Sequence, residues 1–253
     1  MKLALIPPYA LMAAIKRTDY QMVLPQNLSN LQYKTGYQKA RANGNFLMLD
    51  NGAAEGLTYT PQALQSLATE IMANEIVVPD KMNDAAATIQ LMKDYQPFKT
   101  QAFNYIGVLQ GTTWSDLAWM VDTYYGKPWI DTIGIPRHLL TSLTSGFDST
   151  IRVKLAQYIT TQYPGRFNIH LLGTSPDFIQ ETWDNRRDFE LYKVRGVDTS
   201  APFNYAYAGK PVGQQIKVVR PADYFNLVDT TFDGEYLSLN LHRLKKWTDW
   251  SND

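Results

Sequence analysis

Four polar residues in this chain stand where an apolar run breaks: Asp50 in "FLMLDNG", Asp80 in "IVVPDKM", Gln110 in "VLQG" and Asp198 in "RGVDTSAP". Each run of Val, Ile, Leu and Met reads as a buried strand, so each polar side chain falls at a strand's C-terminal end. There α/β proteins gather their chemistry. Taken singly, Asp50 reads as a turn or helix cap, as Asp commonly does after a strand. Three carboxylates and an amide around one apolar cup exceed what capping needs. Burial with mutual repulsion raises a carboxylate's proton affinity and equips it for acid/base work. A carboxylate nucleophile can attack an anomeric carbon and hold a covalent sugar ester while a second one moves the proton. Asp80 and Gln110 together offer an acceptor and a two-way amide, which complements a purine-like edge with N–H groups beside a carbonyl; a backbone N–H at Gly134 or Ile135 would add a donor.

The elements that must position these residues alternate. "KLALIP" and "QMVLP" at the N-terminus, then "FLMLD", "IVVPD", "NYIGVLQG", "WIDTIGIP", "FNIHLLG" and "VRGVDTS", read as strands. Helical patterns lie between most of them: "TPQALQSLATEIMANE" with Thr60 as cap and Pro61 at its first position, "DAAATIQLMKDYQPF", "TWSDLAWMVDTYYG" capped at Thr113 or Ser115, "DSTIRVKLAQYITTQY", and "SPDFIQETWDNRR" with Ser175 as cap. Seven or eight such units, joined by right-handed crossovers, close into a (β/α)8 barrel of the TIM type, an α/β fold. The runner-up, a doubly wound open sheet, lacks its usual G-x-G-x-x-G and G-x-x-x-x-G-K-[ST] motifs. Residues 206–253 fit the rhythm poorly and are expected to cover the mouth, supply a last strand or pack a final helix on the barrel.

Composition narrows the chemistry. The chain has 253 residues, enough for one barrel as a single domain, and its 24 basic and 24 acidic side chains cancel, so no global charge points to a polynucleotide or away from one. It has no cysteine, which excludes disulfides, thiolate nucleophiles, iron–sulfur clusters and the common cysteine zinc sites. With three histidines, a metal would need the carboxylates, and the neighbouring Gln110 fits base recognition better, so no metal and no cofactor is expected. Pro7 and Pro8 interrupt the apolar N-terminus, and no stretch reaches the length of a membrane span; a cytoplasmic protein, in a host's cytoplasm if viral, is the simplest expectation.

The ordered series "LDNGAAE", "VVPDKM", "IGVLQG", "IGIPR", "IHLLGTSPDF" and "RGVDTSAP" resembles the tRNA-guanine transglycosylase superfamily, over roughly residues 45–205. It most resembles the phage-type members that exchange guanine in DNA for a 7-deazaguanine. The family motifs are Asp-Ser-Gly-Gly-Phe, Val-Gln-Gly, a Gly-Gly-Leu segment, His-x-Leu-x-Gly and Phe-Asp-Cys-Val-x-Pro. The resemblance implies a (β/α)8 barrel, with Asp198 as nucleophile, Pro202 four residues on, and Asp50 as general acid/base. It implies guanine recognition by Asp80 and Gln110, with the Gly134 N–H donating and Ile135 near the 7-substituent. The partners it implies are DNA, with the target base flipped or single-stranded, and the free 7-deazaguanine base. The zinc subdomain of the tRNA enzymes is absent from a chain without cysteine, which favours DNA over tRNA; the same exchange on tRNA is the alternative, and a non-catalytic barrel that binds nucleobase or DNA is a second.

Around the mouth, Arg137, Lys81, Arg195 and Lys210 are the expected nucleic-acid contacts, with Arg186, Arg187 and Arg220 in adjacent loops. Phe203 is the expected stacking aromatic, while Trp114, Trp119, Tyr124 and Tyr125 read as packing residues of a helix. His170 reads as a satisfied barrel histidine, and His138 as a loop residue beside Arg137.

Overall fold

Eight strands carry the sequence's apolar runs: β1 Lys2–Leu5, β2 Tyr20–Val23, β3 Phe46–Leu49, β4 Glu75–Val77, β5 Asn104–Val108, β6 Thr132–Pro136, β7 Asn168–Leu172 and β8 Val194–Thr199. Each pairs in parallel with the next and β8 pairs with β1, so the sheet closes into the expected (β/α)8 barrel. The structure is a computed structural model that describes residues 1–143, 146–173, 181, 185–213 and 218–248.

Strands with no polar alternation are explained by burial on both faces. Ala4, Tyr20, Met22, Met48, Val77, Ile106 and Val108 point inward and form the barrel's interior. Their neighbours Leu3, Leu5, Val23, Leu47, Leu49, Ile76, Tyr105, Ile133 and Ile135 point outward into a second core under the helices. Each Val, Leu, Ile or Met among them, removed wholly from water, contributes about 1.5–3 kcal/mol.

The helices begin where the sequence places their caps. Helix α1 is Leu31–Ala42, α2 Pro61–Glu70, α3 Ala85–Tyr95, α4 Trp114–Tyr125, α5 Leu139–Ser142, α6 Ile151–Gln162, α7 Arg186–Leu191, α8 Ala201–Tyr207 and α9 Gly234–Thr248. Thr60 accepts from the Ala63 N–H with Pro61 in the first turn of α2, and Thr113 with Asp116 forms a capping box on α4. Between β1 and β2 stands a 3-10 segment, Tyr9–Arg17, in place of an α-helix. The helix expected from Ser175 lies mostly outside the described residues; Glu181 and α7 are its described neighbours.

The C-terminal part supplies no strand among the described residues. Helix α9 packs against α8 and β1, and the segment before it folds back over the mouth, where the Tyr224 hydroxyl donates to the Ile6 carbonyl at 2.6 Å. No helix among the described residues is long and apolar enough to cross a membrane.

One irregularity shapes the interior. Ile169 pairs with Val194 but His170 pairs with Gly196, so β8 carries an extra residue, Arg195, in a bulge. The bulge turns Arg195 inward. Gly196 follows because a Cβ there would lie 2.6 Å from the Tyr20 ring.

Candidate active site

The C-terminal strand ends bring Asp50, Asp80, Gln110 and Asp198 to one mouth. Asp50 follows β3 on the face of Met48, and Asp198 lies on β8 two residues beyond inward-facing Gly196. Asp50 is half-buried and its best partner is the Gly52 N–H at 3.4 Å, so burial acts on it almost unopposed. Its carboxyl is pushed up to about 8, by desolvation first and then by the charges of Glu55, Asp198 and Asp80. At neutral pH Asp50 therefore holds a proton.

Asp198 is served differently. Its Oδ1 accepts from the Gly173 N–H at 3.0 Å and meets His170 Nε2 at 3.1 Å. Among the described residues no hydrogen bond engages Oδ2, and the side chain is 10% exposed. The Gly173 N–H is braced from behind: the wholly buried Arg152 donates to the Gly173 carbonyl at 3.1 Å and is held by Glu181 at 2.7 and 2.9 Å.

Asp80 sits between two amides. Asn51 donates to Asp80 Oδ1 at 2.6 Å and to the Val78 carbonyl at 2.8 Å, and Gln110 donates to Asp80 Oδ2. The Gln110 carbonyl oxygen accepts from the Asn83 N–H at 2.9 Å. Burial raises the Asp80 carboxyl, and the two amide bonds oppose it. Asp80 and Gln110 thus form one rigid acceptor and donor edge, which Asn51 orients.

Several expected site residues stand elsewhere. Gly134 accepts from the Leu109 N–H at 2.9 Å, in register with Val108; a parallel ladder directs its own N–H to the same strand, so that donor is spent within the sheet. Its lack of a side chain serves packing, since a Cβ would lie 2.7 Å from Leu172 and 3.1 Å from Ile106. Ile135 points outward into the helix-side core, away from any base in the mouth. Phe203 is fully buried in that core on α8 and offers no face for stacking. Arg195 lies within the barrel floor, joined to Glu75 and to the Tyr20 hydroxyl, out of reach of a phosphate at the mouth. Lys210 is exposed beyond α8, with its carbonyl bound by Asn240 of α9, about 10 Å of helix away from the strand ends. Lys81 and Arg137 do stand exposed on the loops after β4 and β6. On α4 only Tyr124 packs as expected; Trp114, Trp119 and Tyr125 are exposed.

Two residues at the mouth, Glu55 and Phe225, emerge from the fold alone, and Arg220, expected in an adjacent loop, joins them. Glu55 lies on a 3-10 turn between two left-handed glycines, Gly52 at φ 77° and Gly56 at φ 73°, which return its carboxylate toward Asp50. Its Oε1 lies 3.6 Å from Arg220, its Oε2 is buried without a partner among the described residues, and burial raises its carboxyl against the pull of that arginine. Arg220 also lies over the Tyr224 and Phe225 rings, at 5.8 Å from each centroid. Phe225 is half-buried against the barrel's interior cluster and 5.7 Å from Tyr9, so it, unlike Phe203, is an aromatic at the mouth. His138, expected as a loop residue, is half-buried with an unpartnered Nε2, and burial beside Arg137 lowers it to about 4.

No family model matches the chain, and no curated protein does. Among solved structures it is similar to phosphoribosyl anthranilate isomerase from Thermotoga maritima, at 12% identity over 95% of this chain and 98% of that one, with a TM-score of 0.45. It is also similar to KGPDC from Streptococcus mutans, at 13% identity over 79% and 88% with a TM-score of 0.47. A third is QR15, an aldolase, at 12% identity over 79% and 89% with a TM-score of 0.49. Likeness at this level carries no argument about the reaction.

No group of three or more metal-ligating side chains is arranged to hold an ion among the described residues. A cavity of about 520 Å3 lies on the barrel's flank, between the 3-10 segment and α1, lined by Met12, Ile15, Lys16, Gly36, Lys39 and Asn43; it is separate from the mouth.

Proposed function

We propose that the chain is a nucleic-acid guanine transglycosylase that exchanges guanine in DNA for a 7-deazaguanine, through a covalent ester between Asp198 and the sugar. The observation that carries this reading is the pairing of two unlike carboxyls at one mouth. Asp198 has one oxygen held by two donors and the other unengaged among the described residues, while Asp50 nearby carries a proton at neutral pH. The sequence's resemblance to the transglycosylase superfamily supports the same assignment of both residues.

In the first half-reaction Asp198 Oδ2 bonds to C1′ as the C1′–N9 bond breaks, and the bond's electron pair leaves with guanine. Asp50 gives its proton to the departing base and becomes a carboxylate. In the second half-reaction Asp50 takes a proton from the incoming deazapurine, whose N9 bonds to C1′. The C1′–Oδ2 electron pair then returns to Asp198 as a carboxylate. Asp80 and Gln110 grip the base edge that both purines share, since Asp80 accepts from N–H groups and Gln110 keeps one N–H to give. Lys81 and Arg137 face the phosphate backbone of a flipped or single-stranded nucleotide.

Incorporation of a labelled 7-deazaguanine into DNA and RNA acceptors tests the reading. Label in DNA that is lost in D80A and Q110A supports it. Label in RNA alone moves the substrate to tRNA, and no label in either acceptor leaves a nucleobase-binding barrel.

A further inference from the structure

The floor of this barrel is polar, and from Arg195 onward its hydrogen bonds lead step by step to Asp198. Thr132 donates to Glu75 Oε1 at 2.6 Å, and Glu75, fully buried, is paired with Arg195. Arg195 Nε donates to the Tyr20 hydroxyl at 3.0 Å, the hydroxyl lies 3.0 Å from His170 Nδ1, and His170 Nε2 lies 3.1 Å from Asp198 Oδ1. Tyr20 and His170 are 1% and 0% exposed. Barrels usually fill these layers with Val, Ile and Leu, and burying an ion pair there costs desolvation that an apolar layer avoids. Stability is therefore a poor reason for the chain of groups.

Donor logic fixes the protons. Arginine can only donate, so Arg195 occupies a lone pair of the Tyr20 oxygen, and the hydroxyl hydrogen finds its acceptor at His170 Nδ1. With Nδ1 accepting, the ring hydrogen of His170 falls on Nε2 and points at Asp198 Oδ1 beside the Gly173 N–H. The bulge at Arg195 completes the chain, because regular pairing would carry its guanidinium to the outer face.

We propose that Tyr20 and His170 are positioning residues for Asp198: Tyr20 sets the His170 tautomer, and the Nε2–H with the Gly173 N–H holds Oδ1 so that Oδ2 forms and releases the sugar ester. This rests on the transglycosylase reading above. The two donors matter most when the ester breaks. The C1′–Oδ2 electron pair then returns to a carboxylate whose other oxygen they already hold, as donors do wherever negative charge develops.

The test has two parts. Nitrogen-15 NMR of histidine-labelled protein reads the tautomer without any substrate: an unprotonated Nδ1 and protonated Nε2 at His170 are expected, with the bias lost in Y20F. A protonated Nδ1 in the wild-type protein, or an unchanged tautomer in Y20F, overturns the relay. In the second part the enzyme–DNA ester is trapped and chased with a 7-deazaguanine. Y20F should release it roughly 10-fold more slowly, and H170L more slowly still, while H170Q, which keeps a donor, recovers part of the rate. Equal release from wild type and Y20F overturns the positioning role. A wild-type protein that forms no ester refutes the transglycosylase reading and leaves the NMR result to judge the relay.

Discussion

Replacing Asp50 with asparagine should stabilise the protein at alkaline pH and leave it nearly unchanged at acid pH. The native fold holds the Asp50 proton up to about pH 8, whereas an ordinary aspartate releases it near 3.8. Over that interval the folded state binds more protons than the unfolded chain, so stability falls as pH rises through it. A gap of about 4 pH units at about 1.4 kcal/mol each sets a ceiling of about 6 kcal/mol. Asp50 is half-buried and water screens part of this, so about 2–3 kcal/mol is the expected share. Asparagine has the same shape and no charge at any pH. Urea unfolding of wild type and D50N should agree within about 1 kcal/mol at pH 5, and D50N should exceed wild type by about 2–3 kcal/mol at pH 9. An equal or lower stability of D50N at pH 9 would refute the electrostatic account of the mouth, and with it the claim that Asp50 stores a proton.

Two further substitutions probe the frame around the site. Breaking the buried pair with E181Q strands the Arg152 guanidinium among carbonyls and should cost about 3–5 kcal/mol in urea unfolding; a loss below about 1 kcal/mol would show that the pair is solvated. G134A drives a methyl to within 2.7 Å of Leu172 and should cost about 1–3 kcal/mol in the same assay, with no such loss if Gly134 faces open space.

Much of this was legible because strands buried on both faces leave unbroken apolar runs, and the polar residue that ends each run marks the mouth. Asp50, Asp80, Gln110 and Asp198 were found that way, and Thr60 and Thr113 announced their helices through cap chemistry. Arg195 was misplaced because period-two alternation assumes a regular strand, and a single bulge residue shifts the pairing. Gly134 and Ile135 failed for a related reason, since the ladder spends the donor and the pleat turns the side chain outward. Phe203 follows a strand end, but the orientation of so short a helix depends on the packing of α9 against it. Glu55 had a signal in hindsight: an acid between glycines in "NGAAEG" suits a turn that doubles back on the strand end. Arg220 was legible only as a basic residue of an adjacent loop, and Phe225 had no signal, because only the closed fold brings a segment so distant in sequence over β1 and β3.

In the proposed reaction Asp198 is the nucleophile whose carboxylate oxygen forms a covalent sugar ester. Wild-type protein incubated with guanine-containing DNA and then denatured should yield a protein–DNA adduct, and D198N should yield none. D50N should fold and bind DNA but form the adduct roughly 100-fold more slowly. An adduct that persists unchanged in D198N would contradict the central claim.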